Sequence, residues 1–183
     1  MNEQGILLVS HGQFEKEFLE KLAYDVEIEF GLPVQLSANY SDLSAFYDPA
    51  RRQYDANQLL NLFDTDSTQN NSTKTIGLFQ VDIFIPILTY IFGQAIFKGK
   101  TGVASVYRLK NEQYGLFGNK TLLFERFRKV VIHELGHTFG LIHCRIPSCV
   151  MRSTTYVEEI DQKKHHFCKK CRNELEGVIR KGE

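Results

Sequence analysis

The chain has 183 residues, with Lys+Arg and Asp+Glu both numbering 22, so its formal net charge is zero. This length supports one domain with a sizeable core, not two independent ones. A hydrophobic share of 43% against 24% charged excludes a disordered chain. The absence of a basic excess counts against a nucleic-acid binder.

In chain order, the first five residues carry no positive charge, and the apolar run at 6–9 is too short for a secretory signal core. That run reads instead as a buried strand. Residues 14–30 follow with helical spacing of Phe14, Phe18, Leu19, Leu22, Val26 and Phe30, stopped by Gly31 and Pro33. A second strand is expected at 34–38. Pro49 then reads as the opening of a helix running to Leu62. The polar stretch 64–74 reads as a flexible surface loop. Strands are expected at 76–84, 90–95 and 102–109. The apolar stretch 81–97 is broken by Asp82, Pro86 and Gln94, which argues against a membrane span. The turn at 116–119 ends on Asn119, a candidate cap for a helix over about 120–140. The remainder, 141–183, holds all four cysteines and, with the end of that helix, five of the six histidines. The order predicts an α+β fold. It has a twisted mixed sheet of about five strands, flanking helices and a small cysteine-rich C-terminal part. Residues 1–183 are expected to form a single domain, its sheet and helix part at 1–140. With no signal or span in view, the default compartment is the cytoplasm, and the expected partner is neither a nucleic acid nor a membrane.

Residues 133–143 read His-Glu-Leu-Gly-His-Thr-Phe-Gly-Leu-Ile-His. On a helix, His133 and His137 lie one turn apart on the same face and can grip one zinc ion. Glu134 adjoins that site at an angle that suits a water better than the metal. A straight helix would carry His143 away. Gly140 can adopt the left-handed conformation that stops a helix and turns the chain back. Three protein ligands leave a fourth position for water, the arrangement of a catalytic zinc. A rival arrangement would draw its third ligand from Glu158 or Glu159.

The cysteines fall as Cys144-x4-Cys149 and Cys168-x2-Cys171. Two close pairs about twenty residues apart have the spacing of a closed four-thiolate zinc site. Two disulfides, or reduced core cysteines, are the alternatives. Such a site would tie the loop after the histidine helix to a C-terminal helix beginning near Cys168. His165 and His166, beside it, read as exposed polar residues.

The run from His133 to Met151 resembles the archaemetzincins, a family of zinc metallopeptidases in the metzincin clan. The match is His133-Glu134-x2-His137-x2-Gly140-x2-His143-Cys144-x4-Cys149-x-Met151, closed by Cys168-x2-Cys171. The resemblance implies a metzincin-like fold with His133, His137 and His143 on a catalytic zinc. Glu134 would be the general base, Met151 the methionine of the turn beneath the histidines, and the four cysteines ligands of a structural zinc. Two zinc ions per chain and a peptide or protein substrate are thereby implied, for a chain expected to act as a monomer. The Met151–Cys168 spacing is one residue shorter than is usual in the family. Ser153 stands where some metzincins carry an additional tyrosine ligand. Tyr156, close by, is read as a packing residue. A non-catalytic protein whose metals serve folding or partner binding is the alternative function.

Overall fold

The computed structural model describes residues 4–64 and 73–182. Strand β1 (Gly5–His11) leads into α1 (Lys16–Phe30), which returns the chain to β2 (Val34–Asn39). A hairpin of β3 (Tyr47–Asp48) and β4 (Gln53–Asp55) precedes α2 (Ala56–Asp64). Then come β5 (Thr73–Phe79), β6 (Ile83–Phe84), β7 (Gly93–Ala95) and β8 (Thr101–Ser105). The rest is helical: α3 (Lys120–Thr138), α4 (Val157–Gln162) and α5 (Lys169–Gly182).

The main sheet has five strands in the order β2-β1-β5-β8-β7. β1 is parallel to β2 and β5, and β5 to β8. Only β7 is antiparallel, to β8, and it forms one edge of the sheet. Because side chains alternate along a strand, each strand feeds two cores. Ile6, Leu8, Ile76, Leu78 and Ala104 face α1 and α3. Val9, Phe79 and Val103 face Leu59, Leu60 and Phe63 of α2. A second, three-stranded sheet, β3-β4-β6, lies on the α2 side.

The five-stranded mixed sheet and the helix from Lys120 agree with expectation. Asn119 caps that helix, its Oδ1 accepting the Leu122 N–H at 3.0 Å. Elsewhere the boundaries move. Pro49 opens no helix. It sits in a turn where Asp48 Oδ1 accepts the Ala50 and Arg51 N–H groups at 2.9 and 3.1 Å. The helix waits until Ala56, where Asp55 Oδ1 takes the Asn57 N–H at 2.9 Å. Arg52, with a left-handed φ of 56°, stops the first turn from continuing as a helix, and Asp55 caps the helix that does form. The apolar run 76–84 is divided between two sheets. Between its halves lies Asp82, buried and ion-paired with Arg108. The strand expected at 102–109 stops at Ser105 and continues as a 3-10 turn over Tyr107–Leu109. That expected at 90–95 is a strand only at Gly93–Ala95, with a single bridge at Ile91. Most of the expected loop 64–74 lies outside the described residues, and its last two, Thr73 and Lys74, belong to β5. Among the described residues no helix is long and apolar enough to cross a membrane.

Helix α3 is buried on almost every side, including its charged residues Arg126, Arg128 and Lys129. Each charged head is paired. Arg126 forks onto Asp161 at 2.8 and 2.7 Å and reaches the Leu109 carbonyl at 2.8 Å. Arg128 meets Asp25 of α1 at 2.7 Å, and Lys129 donates to the Ile160 carbonyl at 3.0 Å. The helix is thereby bound to α1 and α4 by directional contacts as well as by apolar packing.

Replacing Asn119 by Ala should lower stability by about 1 kcal/mol, because the Leu122 N–H loses its acceptor. Asp at the same position should restore most of that loss. Urea unfolding measures both, and equal midpoints for wild type and N119A would show that the cap is dispensable.

Candidate active site and metal centres

His133 and His137 project from successive turns of α3. Each ring is oriented by a main-chain carbonyl: His133 Nδ1 lies 2.8 Å from the Val150 oxygen, and His137 Nδ1 lies 2.8 Å from that of Leu141. A carbonyl only accepts, so both Nδ1 atoms carry hydrogen and both Nε2 atoms present bare lone pairs. Those two Nε2 atoms are 3.1 Å apart. Two lone pairs at that distance repel unless a cation lies between them. Tetrahedral zinc with nitrogens at about 2.0–2.1 Å places them roughly 3.3 Å apart, so the pair fits the ion.

The helix ends at Thr138, and Gly140 takes a left-handed φ of 91°. The Leu141 N–H bonds the Gly136 carbonyl at 3.0 Å, and the Gly140 N–H bonds that of His137 at 2.9 Å. This pair of reversed bonds is a Schellman motif. It turns the chain so that the His143 ring centroid lies 5.3 Å from that of His133 and 4.9 Å from that of His137. The three histidines converge, their donor atoms all within 4.8 Å of one another. Glu158 and Glu159 do not join this group, and the Glu159 carboxylate is engaged by the Thr155 and Tyr156 N–H groups at 2.6 and 3.0 Å.

Glu134 stands apart from the three nitrogens. It is buried against β7, where a Cβ on Gly93 would come within 2.7 Å of Glu134 Cγ. Only a residue without a side chain leaves room for this carboxyl. Burial pushes Glu134 up to about 8, an effect that Lys163 opposes. Burial likewise brings Lys163 down to about 8. Burial holds His133, His137 and His143 below the ordinary imidazole value, which favours the neutral rings that metals bind.

Met151 is fully buried beneath the helix. A Cβ on Gly136 would lie 2.5 Å from its sulfur, so the fourth residue of the His-Glu-Leu-Gly-His run is matched to the methionine. The Met151 carbonyl accepts the Cys144 N–H at 2.9 Å, which joins this turn to the segment carrying His143.

The four cysteines form a second cluster, and none is in a disulfide. Cys144 Sγ and Cys168 Sγ are 3.8 Å apart, close to the separation of about 3.8 Å for thiolates around tetrahedral zinc. The Cys168 N–H points at Cys149 Sγ at 3.3 Å and the Ile146 N–H at Cys144 Sγ at 3.5 Å, donors that suit thiolate sulfur. Cys168 immediately precedes α5 and Cys171 lies in its first turn, in agreement with a helix expected to begin near Cys168. His166 is exposed, yet its Nδ1 lies 2.8 Å from the buried Glu29, which also receives the Phe167 N–H at 3.0 Å. Glu29 thus fastens the cysteine-rich part to α1.

A cleft of about 530 Å³ opens over the histidines. One wall is Ile85, Leu88, Tyr90 and Ile91, leading into β7. The other is Ser153 to Tyr156, with Lys163 also reaching the cavity. Tyr156 is 62% exposed and borders the cleft, so it is not the packing residue its position suggested. Sequence reasoning missed Gly93, Gly136 and Lys163. Gly136 lies inside the histidine motif and could have been questioned there. Gly93 and Lys163 carry no signal without the fold.

The sequence profile of peptidase family M54 matches residues 14–177. The archaemetzincin of Pyrococcus horikoshii is 37% identical over 162 residues, covering 87% of this chain and 86% of its own. The crystal structure of archaemetzincin from Methanopyrus kandleri superposes with a TM-score of 0.84 at 29% identity, over 98% of this chain and 97% of that one. A zinc-dependent peptidase from Methanocorpusculum labreanum superposes with a TM-score of 0.83 at 27% identity, over 93% and 100%.

In the metal-free protein, Glu134 ionises near 4.5 when unfolded and near 8 when folded. Its protonated form therefore contributes stability that is whole at low pH and disappears as pH climbs through that window. The stability of wild type relative to E134Q should fall steadily across it. The comparison cancels the histidines, which act in the opposite sense. A difference independent of pH in chelator-treated samples would contradict the buried carboxyl. The family profile, the relatives and the two clusters of metal donors agree: the chain belongs to peptidase family M54, the archaemetzincin family of zinc metallopeptidases.

Proposed function

We propose that the 183 residues act as one catalytic domain, hydrolysing peptide bonds at a zinc held by His133, His137 and His143. The observation that carries this reading is the pair of Nε2 lone pairs held 3.1 Å apart by carbonyl-bound rings. Zinc, when bound, supplies a Lewis acid for the scissile carbonyl and for the attacking water. Glu134 accepts the proton of that water as the C–O bond forms. It then delivers the proton to the leaving nitrogen as the C–N bond breaks. Its seat against Gly93 keeps it off the metal and over the cleft.

The open edge of β7 borders the same cleft and supports a mode of substrate binding. An extended peptide lies along that edge, pairs with its main chain and brings one carbonyl over the histidines. Cys144, Cys149, Cys168 and Cys171 hold a second zinc with no position left for water. That ion is structural, and through Cys144 it steadies the neighbouring His143. A role limited to folding or partner binding gains no support, since a structural site has no use for a carboxylate beside open metal.

Glu134→Gln should retain both zinc ions and lose turnover by about 10²- to 10⁴-fold. Metal analysis and hydrolysis of a mixed peptide library read the two quantities, and undiminished turnover would remove Glu134 from the mechanism. His143→Ala should release one zinc per chain and leave a folded protein. Cys171→Ser should release the other and expose α5 to proteolysis, because that helix loses its anchor. One zinc per chain in the wild type would refute the second centre.

A further inference from the structure

Lys163 lies just beyond α4 and is only 4% exposed. An ammonium so placed is costly unless it is fully compensated. Its Nζ donates to the Val150 carbonyl at 2.8 Å and to the Arg152 carbonyl at 2.9 Å. These are the two carbonyls on either side of Met151. The Val150 oxygen is also the one that orients His133, 2.8 Å from its Nδ1. One carbonyl therefore joins the ammonium to the first imidazole. Lys163 also lines the cleft together with His133 and Glu134.

We infer that Lys163 is a positioning residue of the active site, clamping the turn that carries Met151 and, through the Val150 carbonyl, holding His133 in its metal-binding orientation. The inference rests on the assignment of the three histidines to zinc. The geometry separates this role from general loop support. A lysine serving only to fasten the loop could bind any carbonyl within it. This one bridges the two that bracket the methionine, and one of them is a histidine's own acceptor. Partners that orient a metal-bound imidazole affect metal affinity by about 10- to 100-fold when lost. Releasing the Val150 carbonyl from its clamp should act at the low end of that range. The cysteine site shares no hydrogen bond with Nζ among the described residues and meets the clamped turn only through its main chain, so it serves as the comparison site, expected to respond less.

The test compares wild type, K163M, K163Q and K163R by chelator competition for zinc and by the visible spectrum after cobalt substitution. Cobalt distinguishes nitrogen from thiolate sites in one sample. In K163M the affinity of the histidine site should fall about tenfold. Its cobalt bands should shift, while the thiolate bands and their affinity change distinctly less. The kcat should drop with KM little changed, since ground-state peptide binding is not altered. K163Q, which keeps a donor for one carbonyl, should fall between. K163R, which keeps charge and donors, should recover most of the affinity. Histidine-site affinity and spectra in folded K163M equal to wild type would overturn the inference. If K163M does not fold, wild-type behaviour in K163Q would do the same. A wild type whose cobalt spectrum lacks nitrogen-site bands would instead refute the three-histidine centre itself, a result that the thiolate bands make recognisable.

Discussion

Two imidazole nitrogens with their lone pairs turned toward each other, 3.1 Å apart, are the constraint on which the rest of this structure converges. Nothing in the two rings favours that approach. It is imposed by the Val150 and Leu141 carbonyls, which hold the opposite nitrogens as donors. Both carbonyls come from chain beyond α3, so the site exists only once that chain has folded back over the helix. The Schellman turn at Gly140 begins the return, and the buried Met151 under Gly136 completes it. A cation between the two nitrogens would resolve the repulsion that remains. Binding energy at such a centre is also folding energy for the segments that build it.

A site of this kind needs a helix that does not shift. α3 is held by a ring of directional contacts around a largely buried helix. Arg126, Arg128 and Lys129 are paired with α1, α4 and the turn before α3. Their function is better understood as registration than as net stabilisation, because the desolvation of buried charges offsets much of the attraction. The cysteine cluster extends the same logic to the C-terminal part. It bundles the segment just after His143 to the start of α5, while Glu29 ties that region back to α1.

The cleft has an asymmetric character that follows from the topology. β7 is the antiparallel strand of the five-stranded sheet and lies at its margin, so its outer edge faces the cavity rather than another strand of that sheet. The close approach of Gly93 to Glu134 places that edge and the carboxyl side by side. Apolar side chains at 85–91 continue the wall, held from behind by Gln53, which reaches both Asp82 and the Thr89 carbonyl. The split of the apolar run 76–84 between two sheets thus has a purpose: it frees the chain at Asp82 to form this wall.

The two clusters of metal donors were legible in the sequence because they depend on short spacings. His133 and His137 are neighbours on any helix, Gly140 is a residue that can stop one, and two close cysteine pairs suit one ion wherever the fold brings them. The five-stranded sheet and the cap at Asn119 were legible for the same reason, since period and capping are local. What only the tertiary structure decided are the features that join distant residues. Pro49 could not reveal that Asp55 would start the helix, nor the run 76–84 that Asp82 would meet Arg108 and divide it. The Gly93–Glu134 contact and the Lys163 bridge across Met151 connect segments 41 and 12 residues apart in sequence through the fold alone. Local spacing therefore determined which groups could bind zinc, and long-range packing decided which way each of them points.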